Sequence, residues 1–292
     1  MLSLDSSDRA QRRLRPLLLI SRDFFVLPRL QDAAAALDFE PVRLDAIDVA
    51  AGEAPPPEGE RMLTEPLDGP DAGLIRQVVE LQPALILLDI GDPEIPAMRW
   101  LQRLKTSAAT RRVPVVAFGP HVDKDRLAKA RELGADLVVA RSRLQAELVE
   151  ILETRALPDP TASMRAGCDR PLSELATRGL DLLDHGEYFE AHELLEKAWL
   201  ESEGPQRSLY RSLVQTCVTY LHLQRGNRRG AAKLLLRIHQ WLDPLPDRCS
   251  GLDVASWKAN LRALREAMDE TGDEPTSAID ARLLRPIPKV EP

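Results

Sequence analysis

From Leu17 onward, short apolar runs alternate with longer amphipathic stretches. The runs at 17–21, 41–44, 85–89, 113–118 and 137–140 have strand length, are apolar almost throughout, and are bounded by Pro, Gly or charged residues. That is the pattern of strands covered on both faces. Helical periodicity fills the gaps at 27–37, 72–81, 96–105, 124–133 and 143–153. Five such units predict an α/β domain, a flavodoxin-like five-stranded parallel sheet with helices on both faces, over 15–154. The stretch 50–70 is rich in Pro, Gly and Glu and predicts a long loop before the second helix.

Three prolines with Gly, Ser and Thr gather at 157–171, and the segment 155–171 is read as a linker. Beyond it the pattern is helical only: 172–185, 188–201, 209–225, 228–242 and 254–269, punctuated by Gly186, Gly204, Gly226 and Gly251. An internal echo runs through this all-α part. Leu183-x-x-Gly186-Glu187-x-x-x-Ala191-x-x-Leu194-Leu195 returns forty residues later as Leu223-x-x-Gly226-Asn227-x-x-x-Ala231-x-x-Leu234-Leu235. Glycine ends one helix, Glu or Asn opens the next, and a small Ala lets paired helices approach closely. This is the construction of helical-hairpin repeats, with too few copies for a solenoid. A small helical bundle over 172–270 is expected, with 271–292, carrying Pro275, Pro286, Pro288 and Pro292, as an extended tail.

Composition narrows the function classes. The 292-residue chain is 44% hydrophobic and 29% charged, a globular balance, but only 4% aromatic, so its cores rest on Leu, Val, Ile and Ala. A net charge of −7 gives no general attraction for nucleic acid or anionic membrane. The apolar runs are too short to cross a bilayer, and the arginines at 9, 12, 13 and 15 precede no secretory apolar stretch, which predicts a cytoplasmic protein. Cys168, Cys217 and Cys249 lie far apart with no CxxC pair, predicting neither a disulfide framework nor a zinc knuckle.

The first domain resembles a response-regulator receiver over roughly residues 15–154. Leu85-Ile-Leu-Leu-Asp89-Ile-Gly-Asp-Pro93 is similar to the third strand that ends in the phosphorylatable aspartate. Val113–Phe118 is similar to the fourth strand, and 134–141 to the segment ending in the family's lysine. The resemblance implies Asp89 as phosphoacceptor and Mg²⁺ held by an acidic pair at the end of the first strand. Those positions read Ser21-Arg22, with Asp23 displaced by one. Gly119 stands where a hydroxyl follows the fourth strand, Arg141 replaces the lysine, and Ser142 the proline after it. The expectation is a pseudo-receiver in which Asp89 pairs with Arg22 or Arg141 in place of a metal. It would dock a protein partner or a second copy; phosphorylation at Asp89 is the alternative.

The segments 184–199 and 220–231 resemble the helical family called domain of unknown function 309, over about 172–270, which implies a fold but no activity. On the helix from Tyr188, the residues Tyr188, His192 and Glu196 share a face at i, i+4, i+8. On the next, Arg211, Gln215 and His222 do the same. Three readings follow. The stripe is a buried hydrogen-bond network (His192 to Glu196, Arg211 to a carboxylate, Tyr188 to Gln215), a small-ligand or anion pocket, or a metal site. For the metal site the candidate ligands are His192, Glu196 and His222, and the chemistry would be assisted hydrolysis. The basic residues Arg225, Arg228, Arg229, Lys233 and Arg237 carry no interleaved aromatics, which argues against nucleic-acid binding. No cofactor is implied. The expected function is phosphorylation-independent regulation or scaffolding.

Overall fold

The computed structural model describes residues 14–23, 26–44, 65–270 and 281–290. It divides into two units, Met1–Pro158 and Asp159–Pro292.

In the first unit, strands β1 (Arg15–Ile20), β2 (Phe39–Leu44), β3 (Leu85–Asp89), β4 (Val115–Gly119) and β5 (Leu137–Ala140) form one sheet in the order β2-β1-β3-β4-β5. Every pairing is parallel, with Leu17 opposite Leu85, Ile86 opposite Val115 and Val116 opposite Leu137. This is the flavodoxin-like order, whose direction of winding reverses between β1 and β3. The apolar runs explain it. β3 and β4 are buried at every residue, so helices must cover both faces. The connecting helices are α1 (Val26–Ala36), α2 (Gly69–Leu81), α3 (Ala97–Thr106), α4 (Lys124–Glu132), α5 (Arg141–Ala146) and α6 (Leu148–Arg155). Trp100 and Phe118 are the largest side chains fully enclosed. The predicted helix 143–153 is two helices, broken at Glu147 (φ −111°, ψ 18°) without a proline or glycine to mark it. α2 opens at Gly69, earlier than its periodicity suggests, because Pro70 suits a first helical turn. Most of the predicted loop 50–70 lies outside the described residues.

The second unit contains α7 (Thr161–Cys168), α8 (Glu174–Asp184), α9 (Tyr188–Glu201), α10 (Gly204–Gln224), α11 (Arg228–Leu242) and α12 (Val254–Glu270), with a small hairpin of β6 (Arg248–Cys249) and β7 (Leu252–Asp253). The sequence echo is a structural one. Gly186 and Gly226 sit at φ 80° and 75°, a left-handed turn that glycine adopts at no steric cost. The same bonds close both turns: the glycine amides donate to Leu183 and Leu223, and the next amides to Leu182 and His222. Ala191 and Ala231 then occupy fully buried contact points.

Three expectations fail here. The predicted linker 155–171 holds a helix, α7, packed on α10. Its Pro158 and Pro160 precede the helix, where a missing N–H costs nothing. The predicted extended tail folds back at 281–290: Ile287 is 2% exposed in the helical core, and Tyr220 Oη donates to the Arg285 carbonyl at 3.0 Å. The prolines do not prevent edge pairing, because Pro288 contributes its carbonyl as acceptor for the Asp253 amide, and the Val290 amide donates to Gly251. Finally, Cys168 and Cys249 form a disulfide across a sequence separation of 81 residues, a pairing that only the fold can bring about. Cys217 remains a buried free thiol.

Candidate functional site

Parallel strands deliver their carboxyl ends to one rim of the sheet, so residues far apart in sequence converge there. Asp89, the last residue of β3, is 1% exposed. Its Oδ1 accepts from the Gly91 amide (2.9 Å) and from Arg141 Nη2 (3.0 Å). Its Oδ2 accepts from the Ser21 hydroxyl (2.9 Å) and from the same Arg141 nitrogen (2.8 Å). Arg141 opens α5, directly after β5. It also pairs through Nη1 with Asp23, and its guanidinium lies 5.8 Å from the Phe118 ring centre. Ser21 is itself buried, and its hydroxyl also accepts from the Asp23 amide (3.1 Å). Burial raises the Asp89 carboxyl above its ordinary value; the Gly91 amide, Arg141 and Ser21 oppose the rise, and Asp92 adds to it.

Of the sequence-derived receiver residues, Asp23, Asp89 and Arg141 therefore meet. Arg22 does not join them, pairing instead with Glu94. Gly119 is held against the neighbouring loop: a Cβ there would stand 3.0 Å from Ile90 Cγ1 and 3.4 Å from the Gly91 amide nitrogen. Ser21 is the participant that sequence reasoning took only as a missing acid. The donor set does not suit Mg²⁺. A hard cation wants several free oxygens, and both Asp89 oxygens are already engaged by an arginine, a hydroxyl and an amide.

The helical stripe assembles less completely. His192 and Glu196 approach to 3.8 Å, as their spacing predicts. Tyr188 packs edge-on against Tyr220, with centroids 5.6 Å apart, while Gln215 Oε1 is buried with no hydrogen-bond partner among the described residues. Arg211 lies between two indoles, 5.2 Å from Trp199 and 4.2 Å from Trp241, with Arg207 on Trp199 at 4.9 Å. His222 Nδ1 is 2.9 Å from Asn227 Nδ2 at the head of α11, and burial followed by the Arg225 charge lowers its pKa. Among the described residues no group of three or more His, Cys, Asp or Glu could hold a metal ion. The Trp–Arg ladder went unread because Trp199 and Trp241 fall on different helices, and only the packing of those helices brings both to Arg211.

With this geometry in hand, the comparisons with known proteins divide along the same boundary. Residues 176–234 match the family described as Domain of unknown function (DUF309). The first unit aligns with solved response regulators. The phosphorylated cyanobacterial phytochrome response regulator RcpA is 19% identical, covering 49% of this chain and 94% of that one, with TM-score 0.36. The Mn²⁺-bound form of response regulator Rcp1 is 20% identical, covering 49% and 99%, with TM-score 0.36. The response regulator domain of Thermotoga maritima CheB is 15% identical, covering 49% and 96%, with TM-score 0.34. A comparison with curated proteins gives no match. No helix among the described residues is long and apolar enough to cross a membrane.

Proposed function

We propose that this is a cytoplasmic regulatory protein whose receiver-like half presents a fixed surface to a protein partner or a second copy, without phosphoryl transfer to Asp89. The observation that carries this reading is the saturation of the Asp89 carboxylate. An aspartate attacks a phosphoryl group through an oxygen lone pair, with a cation neutralising the incoming oxygens. Here each carboxylate oxygen already accepts two hydrogen bonds, and Arg141 supplies the neutralising charge from within the protein. Asp23, the other carboxylate paired with Arg141, is committed to the same guanidinium. The helical half supplies a second recognition surface. Its partly exposed Trp199, Trp241 and Arg211 are the residue types that dominate binding energy at interfaces.

Amide NMR of the full chain tests this reading, with Mg²⁺ and beryllofluoride, a phosphoryl mimic, added together. The expected result is unchanged Gly91 and Arg141 signals. A saturable shift of Gly91 accompanied by release of the Arg141 signal would restore the phosphorylatable alternative.

A further inference from the structure

The helix α7 stands at the head of the second unit and buries little of itself. Among its described side chains, Ser163, Arg165 and Ala166 are exposed, Met164 is partly buried, and Gly167 and Cys168, at its carboxyl end, are buried. An eight-residue helix is marginal in water without tertiary contacts, so α7 depends on what anchors that end. The anchors converge on the β6–β7 hairpin. Cys168 is bonded to Cys249, and its carbonyl accepts from the Ser250 amide at 2.7 Å. Gly167 lies so close to α10 that an added Cβ would stand 2.3 Å from Pro205 Cβ. The same hairpin holds the C-terminal segment, through Asp253 to Pro288 and Val290 to Gly251. One sulfur–sulfur bond therefore fastens the chain entering the unit to the hairpin that also seats the chain leaving it.

We propose that Cys168–Cys249 is a reversible thiol–disulfide exchange site, and that its redox state sets whether α7 is docked or belongs to the tether between the two units. The co-reactant is a dithiol. Cys168 is 9% exposed and Cys249 2%, so the dithiol's thiolate attacks the Cys168 sulfur and forms a mixed disulfide there, releasing Cys249 as a thiol. The dithiol's second thiol then displaces the remaining cysteine. The pair gains two electrons and two protons, and the dithiol leaves as its own disulfide. Re-oxidation by a small-molecule disulfide runs the exchange in reverse. The third cysteine takes no part: Cys217 is 0% exposed against 9% for Cys168, donates to the Tyr188 carbonyl, and burial pushes its thiol up to about 12. This inference goes beyond the receiver-like reading and does not depend on it.

The test uses the full native chain, with and without dithiothreitol, trapped with iodoacetamide and followed by peptide mapping and hydrogen exchange. The expected result is alkylation of Cys168 and Cys249 but not Cys217, amide exchange in 161–168 faster by about tenfold or more, and recovery on adding oxidised glutathione. Cys168→Ser should show the same fast exchange without reductant. Should that variant fail to fold, the native chain under dithiol decides alone. A disulfide that survives dithiol in the folded chain would overturn the proposal. So would one that opens while α7 exchange stays unchanged.

Discussion

The polar cluster at the rim of the sheet and the polar stripe of the helical bundle are assembled in different ways. At the rim of the sheet, Ser21, Asp23, Asp89 and Arg141 come from three strand ends and bond to one another, with Arg141 Nε left buried and without a hydrogen bond among the described residues. In the helical bundle, stripe residues meet other helices through rings rather than hydrogen bonds, Tyr188 on Tyr220 and Arg211 on Trp199. His192 meets Glu196 four residues on, and Gln215 Oε1 finds nothing. The difference is geometric. Parallel strands bring many carboxyl ends to one point, whereas a helix face spreads its residues along an axis and leaves their meeting to a neighbour's side chains. In the bundle those neighbours are indoles, so Arg211 is held by stacking on Trp199 and Trp241.

The helical half should therefore owe more to its covalent staple than to its polar residues. Cys168→Ser removes a cross-link over 81 residues, worth about 4 kcal/mol by loop-closure entropy, read as a lower denaturation midpoint for the second unit with the first unaffected. In the receiver-like half the largest loss should come from charge. Arg141→Met strands two carboxylates and should cost about 3 kcal/mol in urea unfolding, with much of it restored by adding Asp89→Asn. Equal losses from Arg141→Met and from Gln215→Ala would erase the contrast between the halves. Removing the stacked cation by Arg211→Met should cost about 1 kcal/mol, and His192→Ala no more than about 0.5 kcal/mol.

Titration gives the smallest effect and two signs. Asp89 holds its proton more tightly folded than unfolded, because burial raises its pKa. Its contribution to stability is full below the ordinary 3.8 and is lost as pH rises through the raised value. His222 is the reverse: burial and Arg225 lower its pKa, so its contribution is full above the ordinary 6.5 and is lost as pH falls through the lowered value. NMR titration of the two side chains, each compared with an exposed residue of its type, should show the midpoints displaced in these opposite directions.

What could be read from the chain follows the same geometry. The five apolar runs reach both faces of the sheet, so strand number, direction and the place of Asp89 were legible, and the missing acidic pair left Asp89 with two basic candidates, Arg22 and Arg141. The choice between Arg22 and Arg141 was not legible, since Glu94, which takes Arg22, lies on another loop. The repeated Gly186 and Gly226 turns were visible because they are local. Tertiary choices were invisible: α7 hides among prolines and small residues, Ile287 is one apolar residue between two prolines, and Cys168 and Cys249 carry no spacing signal. Proline-rich composition described these segments as chain ends, and packing made them parts of a core.

We infer that Arg141 supplies at Asp89 the positive charge that a metal would bring, in place of phosphoryl chemistry there. The most direct measurement is intact-mass and peptide analysis of the full chain after incubation with acetyl phosphate and Mg²⁺, beside the Asp89→Asn variant. Two unmodified proteins of unchanged mass are expected. Addition of one phosphoryl group to the wild-type chain, mapped to Asp89 and absent from the variant, would contradict it.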